Sequence, residues 1–310
     1  MASNGILIVD KPAGITSHDV VDRVRRLFRT KRVGHTGTLD PDATGVLVLC
    51  LGNATRIAEY LSSAAKHYQA EFVFGVHTST MDASGTVIAE KDASHITEQA
   101  ILGLLPAFRG RILQTPPMVS ARHHEGRRLY ELAREGVTVE RLAREVEISA
   151  LEMTSFHPGM LPQVTFEVTC STGTYIRVLA DDLGAAAGTG AFMKSLRRTW
   201  VGADAATAFT LAEAHTIDKL ERAEDTAALP GTLIPLAAGL RAMPHYRLQE
   251  DGLRRLRHGQ AVSVGEITGA QGRADTGGGL AAILDEQGEV CALVHCDTDI
   301  LRPVKVLAPR

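Results

Sequence analysis

Apolar residues in this chain recur in two rhythms, and the switches between them place most of the elements. Residues 5–10 (Gly-Ile-Leu-Ile-Val-Asp) form an apolar run closed by Lys11-Pro12-Ala13-Gly14, which predicts a short strand and a turn. Val20, Val21, Val24, Leu27 and Phe28 follow helical spacing, with Ser17 placed to cap the helix and the arginines mainly off the buried stripe. A loop over 32–45 leads into residues 46–51, continuously apolar as suits a central strand buried on both faces. Residues 54–65 read as a helix. Tyr68, Ala70, Phe72, Phe74 and Val76 then alternate as one face of a strand. Residues 97–108 form an amphipathic helical pattern capped by Thr97. Over 163–171, Val164, Phe166, Val168 and Cys170 point inward, and Thr172-Gly173 turns into a helix running from near Tyr175 toward Leu183.

Strands and helices intermix without a regular βαβ rhythm, which predicts a mixed α/β protein of the α+β class. Pro and Gly punctuate residues 228–243 and divide the chain into a larger unit, 1–240, and a smaller one, 241–310. The smaller unit has short strands, glycine-rich turns and one helical piece over 250–257, so it reads as a β-rich appendage.

Composition narrows the class. The 310 residues are 45% hydrophobic, and a mean hydropathy of +0.01 describes a soluble globular protein. No apolar run approaches the ~20 residues a bilayer demands, and no basic segment precedes the first apolar run, so no signal peptide is expected. Four scattered cysteines (50, 170, 291, 296) are too few for a disulfide framework and fit a reducing cytoplasm. Cys291 and Cys296 flank an apolar run and read as buried hydrophobes, with no second ligand cluster to complete a zinc set.

The net charge of −3 conceals an uneven distribution. Arg23, Arg25, Arg26, Arg29, Lys31 and Arg32 face a single acid; Arg122, His123, His124, Arg127 and Arg128 form a second basic stretch, and Lys194, Arg197 and Arg198 a third. Six acids against two bases over 204–225 offset them in the sum. One such run is usually a solvated face. Three make a polyanion a reasonable partner.

Phosphate-binding loops, serine-hydrolase elbows and zinc-protease signatures are all missing from the chain. Gly184, Gly188 and Gly190 lack dinucleotide-fingerprint spacing and follow a helix, so they mark its end. The segment 34–45 (Gly-His-Thr-Gly-Thr-Leu-Asp-Pro-Asp-Ala-Thr-Gly) has two readings. It is a connector built from turn formers, or a binding loop before a central strand, whose Asp40 is left open to a bulky substrate by flanking glycines.

That segment, continued as Val46-Leu-Val-Leu-Cys-Leu-Gly-Asn-Ala-Thr-Arg56, resembles the defining motif of the bacterial tRNA pseudouridine synthase B family. Further pieces match in order: Asp10-Lys11-Pro12 with Gly14-Ile15-Thr16-Ser17, Lys66-His67-Tyr68, and Thr80-Met81-Asp82-Ala83-Ser84-Gly85. Pro117-Met118-Val119-Ser120-Ala121, Ser171-Thr172-Gly173-Thr174-Tyr175-Ile176-Arg177 and Leu196-Arg197-Arg198 follow. The resemblance covers roughly 5–215. The tail is similar to the small PUA-like RNA-binding barrel these enzymes often carry.

The resemblance implies a largely antiparallel mixed sheet flanked by helices, and isomerisation of uridine 55 in the tRNA T-loop without metal or cofactor. It makes Asp40 the catalytic carboxylate, Arg177 its ion-pair partner and Tyr68 a base-stacking residue whose hydroxyl takes part in proton transfer. Tyr175 and Leu196 would line the pocket, His35 would fill the gap left by the flipped base, and Lys11 would support the loop or contact phosphate. Arg23, Arg26, Arg122, Arg127 and Arg197 are the candidates for gripping the RNA backbone. Val119, Arg122 and residues 79–82 depart from the common pattern and concern substrate grip. A synthase for another RNA site and a noncatalytic RNA-binding or RNA-folding protein are the competing readings. Nothing in the sequence demands a partner chain, so a monomer is expected.

Overall fold

A computed structural model describes residues 4–118, 137, 139–222, 229–271 and 278–307, with the backbone of 123–124 and 127–128. The apolar run at the start becomes strand β1 (Gly5–Lys11), followed by helix α1 (Ser17–Leu27), short β2 (Val33–His35), β3 (Thr44–Leu51) and β4 (Ala65–Phe74). They belong to a ten-stranded sheet whose main path runs His215–Thr216, β1, β3, Ala191–Gly202, β4, Gln163–Cys170, Arg144–His157 and Gly110–Gln114. Two of these pairings are parallel, His215–Thr216 with β1 and β3 with Ala191–Gly202; the rest are antiparallel. The expected α+β class with a mixed, largely antiparallel sheet is what forms.

β3 is buried on both faces, as its unbroken apolar run predicts. On one side Leu47 and Leu49 pack with Val20, Val21 and Val24 of α1, with Phe28 at its C-terminal cap, and with Leu7 and Val9. On the other, Val46 and Val48 meet Leu236, Leu240 and, from the C-terminal sheet, Leu284 and Leu293. In the opposite half of the large sheet, Ile176, Leu179 and Leu183 of helix Ile176–Ala186 cover Phe72, Phe74 and Phe166.

The two halves meet at a narrow seam. β3 and Ala191–Gly202 pair through only Arg197↔Thr44 and Arg198↔Gly45. Gly45 has φ +105, and a Cβ there would lie 2.1 Å from the Arg198 carbonyl oxygen. Gly45→Ala is therefore expected to lower stability by at least about 2 kcal/mol, seen as a fall in Tm, since backbone strain and a backbone clash add.

Several sequence expectations shift in detail. The cap of α1 is Thr16, which accepts from the Asp19 N–H at 3.0 Å while its own N–H donates to Asp19 at 2.8 Å. Ser17 is drawn elsewhere, as described below. Residues 54–65 are not one helix but a 3-10 segment, Gly52–Ile57, and a short α-helix, Ala58–Ser62. The Thr55 hydroxyl donates to the Gly52 carbonyl at 2.7 Å, a local bond that competes with the α pattern. Residues 97–108 split at Pro106 into an α-helix, Glu98–Leu104 capped by Thr97, and a 3-10 turn, Leu105–Phe108. In the tail, Glu250–Arg257 is a helix and six strands form a second sheet, with Cys291 and Cys296 buried in Val290–Cys296. Among the described residues no helix is long and apolar enough to cross a membrane.

Candidate active site

The segment between β2 and β3 is an anchored loop, not a slack connector. The Thr36 N–H donates to the Val48 carbonyl at 3.1 Å. Arg198, only 1% exposed, spreads its guanidinium over the carbonyls of Val46 (2.6 Å), Gly37 (3.0 Å) and Thr38 (3.5 Å). The Ser17 hydroxyl accepts from the Leu39 N–H at 2.9 Å and donates to the Leu39 carbonyl at 3.0 Å. Lys11 Nζ donates to the carbonyls of Pro41 (2.8 Å), Pro12 (2.8 Å) and Ile15 (2.7 Å). Asp40 thus sits between two anchored neighbours, Leu39 and Pro41, with its own carbonyl accepting from the Ala43 N–H at 3.1 Å.

Two expectations are corrected here. Lys11 is fully buried and its three protons are committed to backbone carbonyls, so it supports the loop and cannot meet a phosphate or the substrate. Arg198, counted from the sequence among the polyanion-facing residues, is an internal brace. Lys11→Met should cost about 3 kcal/mol of stability, because three buried carbonyls lose a charged donor. Its RNA affinity and the salt dependence of binding should match the unmodified protein; a smaller salt slope would restore the phosphate role.

Asp40 projects into a cavity lined by Gly37, Thr38, Lys66, Tyr68, residues 172–177, Met193, Leu196 and Arg198. Arg177 enters from the first turn of helix Ile176–Ala186, with Nη2 3.3 Å from Asp40 Oδ2 and Nη1 3.2 Å from Asp82 Oδ2. Asp82 is itself held: its Oδ1 accepts from the hydroxyls of Thr80 and Ser84, both at 2.6 Å, and from the Ser84 N–H at 3.0 Å. Burial pushes the Asp40 carboxyl above its ordinary value, Arg177 opposes that shift and Asp82 adds to it. The side chain of Arg177 is 5% exposed and that of Asp40 38%, so the guanidinium is fixed while the carboxylate remains reachable.

Tyr68 on β4 is buried directly across from Arg198, and burial raises its hydroxyl pKa, so it stays protonated at neutral pH. Tyr175, the N-cap of the Arg177 helix, is pinned by buried Gln114, which accepts from its N–H at 3.0 Å and donates to its carbonyl at 3.3 Å. Leu196 adds an apolar wall two residues before Arg198 on the same face. The arrangement presents one carboxylate, aimed by a cation, to a cavity walled by aromatic and aliphatic side chains that suits a planar ring. Among the described residues no group of three or more His, Cys, Asp or Glu is placed to hold a metal.

Residues 25–176 match the family model described as TruB family pseudouridylate synthase (N terminal domain), and residues 177–241 match the tRNA pseudouridylate synthase B C-terminal domain. A relative from Symbiobacterium thermophilum named tRNA pseudouridine synthase B is 47% identical over 261 residues, 84% of each chain. The chain belongs to the TruB family of pseudouridylate synthases. A Burkholderia mallei relative of the same name is 40% identical over 306 residues, 99% of this chain and 97% of that one. Among solved structures, a Cbf5-Nop10-Gar1 complex contains a chain with TM-score 0.74 and 25% identity, covering 99% of this chain and 86% of that one.

Asp40, Arg177, Tyr68, Tyr175 and Leu196, separate in the TruB-family sequence, converge on the one cavity. His35 does not line it. The ring sits at the end of β2 with Nδ1 buried and without a hydrogen-bond partner, and burial lowers its pKa, so it is neutral at pH 7. Arg23 pairs with Glu221 at 3.7 Å, and Arg26 is exposed on the same helix. Arg197 makes a two-pronged bond to Asp10, at 3.1 and 2.8 Å. Arg122, and the side chain of Arg127, lie outside the described residues. Asp82 and Lys66 had no role assigned from sequence, although both stand inside matched motifs.

Proposed function

We propose that this chain isomerises uridine 55 of the tRNA T-loop to pseudouridine, with Asp40 as the carboxylate that lets the base leave its sugar and return. The observation that carries the reading is Asp40 held by Arg177 at 3.3 Å in a cavity walled by Tyr68, Tyr175 and Leu196. The C1′–N1 bond breaks with its electron pair moving to N1. Ionised Asp40 takes up the cationic character at C1′, as a covalent bond or as a facing charge. The uracil turns on the Tyr68 ring, C5 attacks C1′, the proton leaves C5 and N1 gains one. Atoms and charge balance without any redox partner.

The T-loop base must leave its stack to reach this cavity, and His35 is the residue we assign to the gap it vacates. Neutral at pH 7, its ring can stack and hydrogen-bond there without adding charge. Exposed Arg26 and half-exposed Arg23 offer phosphate contacts, and so does Arg197 if it exchanges Asp10 for phosphate. The six-stranded sheet after residue 244 supports the reading of 241–310 as a PUA-like RNA-binding domain beside a catalytic domain of 1–240. We read the working unit as a single cytoplasmic chain.

The test is an unmodified tRNA transcript incubated with the protein, followed by chemical mapping of pseudouridine. Product at the T-loop uridine is expected. Product at another position overturns the substrate assignment, and tight binding with no product at all supports a noncatalytic RNA-binding protein.

A further inference from the structure

Lys66 is a buried cation in the cavity that the steps above leave unused. It lies two residues before Tyr68 on β4, so both side chains project from the same face of the strand. Lys66 is 5% exposed. Its Nζ donates to the carbonyls of Ser62 at 3.0 Å and Ala64 at 2.7 Å, at the end of the short helix Ala58–Ser62, and among the described residues it has no carboxylate partner. Two of its three N–H bonds are thereby used, and Lys66 lines the cavity with one N–H to spare. Arg198, 1% exposed, stands beside it with its guanidinium on the carbonyls of Val46, Thr38 and Gly37.

The cavity is therefore electrically uneven. Arg177 is shared between two carboxylates, Asp40 and Asp82. Lys66 and Arg198 line the same cavity, and among the described residues neither pairs directly with a carboxylate. Buried charge is strongly disfavoured unless an opposite charge completes it. The reaction generates such a charge inside the cavity: when the C1′–N1 pair departs with the base, uracil becomes an anion whose charge spreads onto O2 and O4.

We propose that Lys66 binds the detached uracil as its anion, its remaining N–H donating to a ring carbonyl oxygen while Arg198 adds a second positive charge. The proposal rests on the pseudouridine reading and specifies what holds the base between cleavage and return. Asp40 stabilises the sugar half of the broken bond and Lys66 the base half. C5 attack on C1′, loss of the C5 proton and protonation of N1 return uracil to neutrality and free the ammonium. Burial, with the Arg198 charge second, lowers the Lys66 pKa to about 8, so the side chain remains largely cationic at neutral pH.

A purely structural Lys66 would cap the helix end at Ser62 and nothing more, and leaving-group chemistry separates the two roles. Fluorine at C5 makes uracil more acidic, so its anion needs less help from the protein. Single-turnover consumption of uridine and of 5-fluorouridine is measured by nucleoside mass spectrometry in a synthetic T-stem-loop, for the unmodified protein and Lys66→Met. The uridine rate should fall about 100-fold, with Kd for the stem-loop within about threefold. The loss on 5-fluorouridine should be at least about tenfold smaller, and Lys66→Arg should recover part of the uridine rate. Equal loss on both substrates, loss confined to Kd, or an undiminished rate overturns the proposal. If Lys66→Met does not fold, Lys66→Gln, which keeps a donor but no charge, is measured with the same outcomes. Failure of the unmodified protein to form pseudouridine removes the synthase reading itself, whereas normal turnover with no differential loss removes only the role of Lys66.

Discussion

Asp40→Asn is expected to reduce pseudouridine formation by at least about 10^4-fold while leaving the fold and tRNA affinity intact. The substitution is nearly isosteric, and the loop does not depend on the carboxylate for its shape. Leu39 and Pro41 are held by Ser17, Lys11 and Gly14 through backbone bonds, and Arg198 holds Gly37 and Thr38. Arg177 keeps Asp82 as a partner at 3.2 Å, so its charge is not stranded. What disappears is the only negative charge that reaches the cavity from this loop's own apex, and with it the group that answers cationic character at C1′. Asn cannot supply a bond or a full charge there. Single-turnover assays with a T-stem-loop, paired with a Kd and a Tm, separate these statements. Residual activity within tenfold of the unmodified protein would remove Asp40 from the chemistry; a large rise in Kd would make it a binding residue instead.

The parts of this site that were legible in sequence, and the parts that were not, differ in range of interaction. Where burial follows a simple period, pattern and structure coincide: Val164, Phe166, Val168 and Cys170 alternate in the sequence and are all buried. The continuous run in β3 likewise predicts two covered faces, and it has them. Local propensity could not choose between Thr16 and Ser17 as helix cap, because both are good cap residues. The choice is made by Leu39, 22 residues away from Ser17, which takes the serine hydroxyl for the loop. Charge runs misled for a related reason. Arg198 counts as one more basic residue until strand pairing sets it opposite Tyr68, deep in the sheet. One signal was present: Leu196 and Arg198 are two apart on a strand, so a residue on the pocket wall implies that its i+2 neighbour faces the same way. Asp40 itself was ambiguous on spacing alone, and its order among matched motifs decided it. Asp82 lay in one of those motifs with no role, since only the fold brings it to Arg177.

Removing that arginine should give the second largest effect. In Arg177→Met, Asp40 loses the cation that aims it and half-buried Asp82 is left with like charge nearby. Turnover at pH 7 should fall by about 10^2–10^3-fold, the scale of losing one preorganised electrostatic group. Stability should fall by about 3 kcal/mol, at the low end for a broken buried pair because Asp40 is partly open to water. The pH profile carries the more specific signature. Burial raises the Asp40 pKa, and Arg177 is the largest influence opposing that rise. The ionised carboxylate is the working form, so activity climbs as pH rises through this pKa. Without Arg177 the opposing influence is gone, the pKa moves further up, and the acid limb of the single-turnover rate shifts to higher pH. Arg177→Lys, which keeps a charge but not the two-pronged geometry, should return the limb part of the way and recover less of the rate. An unshifted limb in Arg177→Met would mean that the guanidinium positions the helix or the RNA without tuning Asp40. The rate loss alone would not distinguish these roles, and the direction of the limb does.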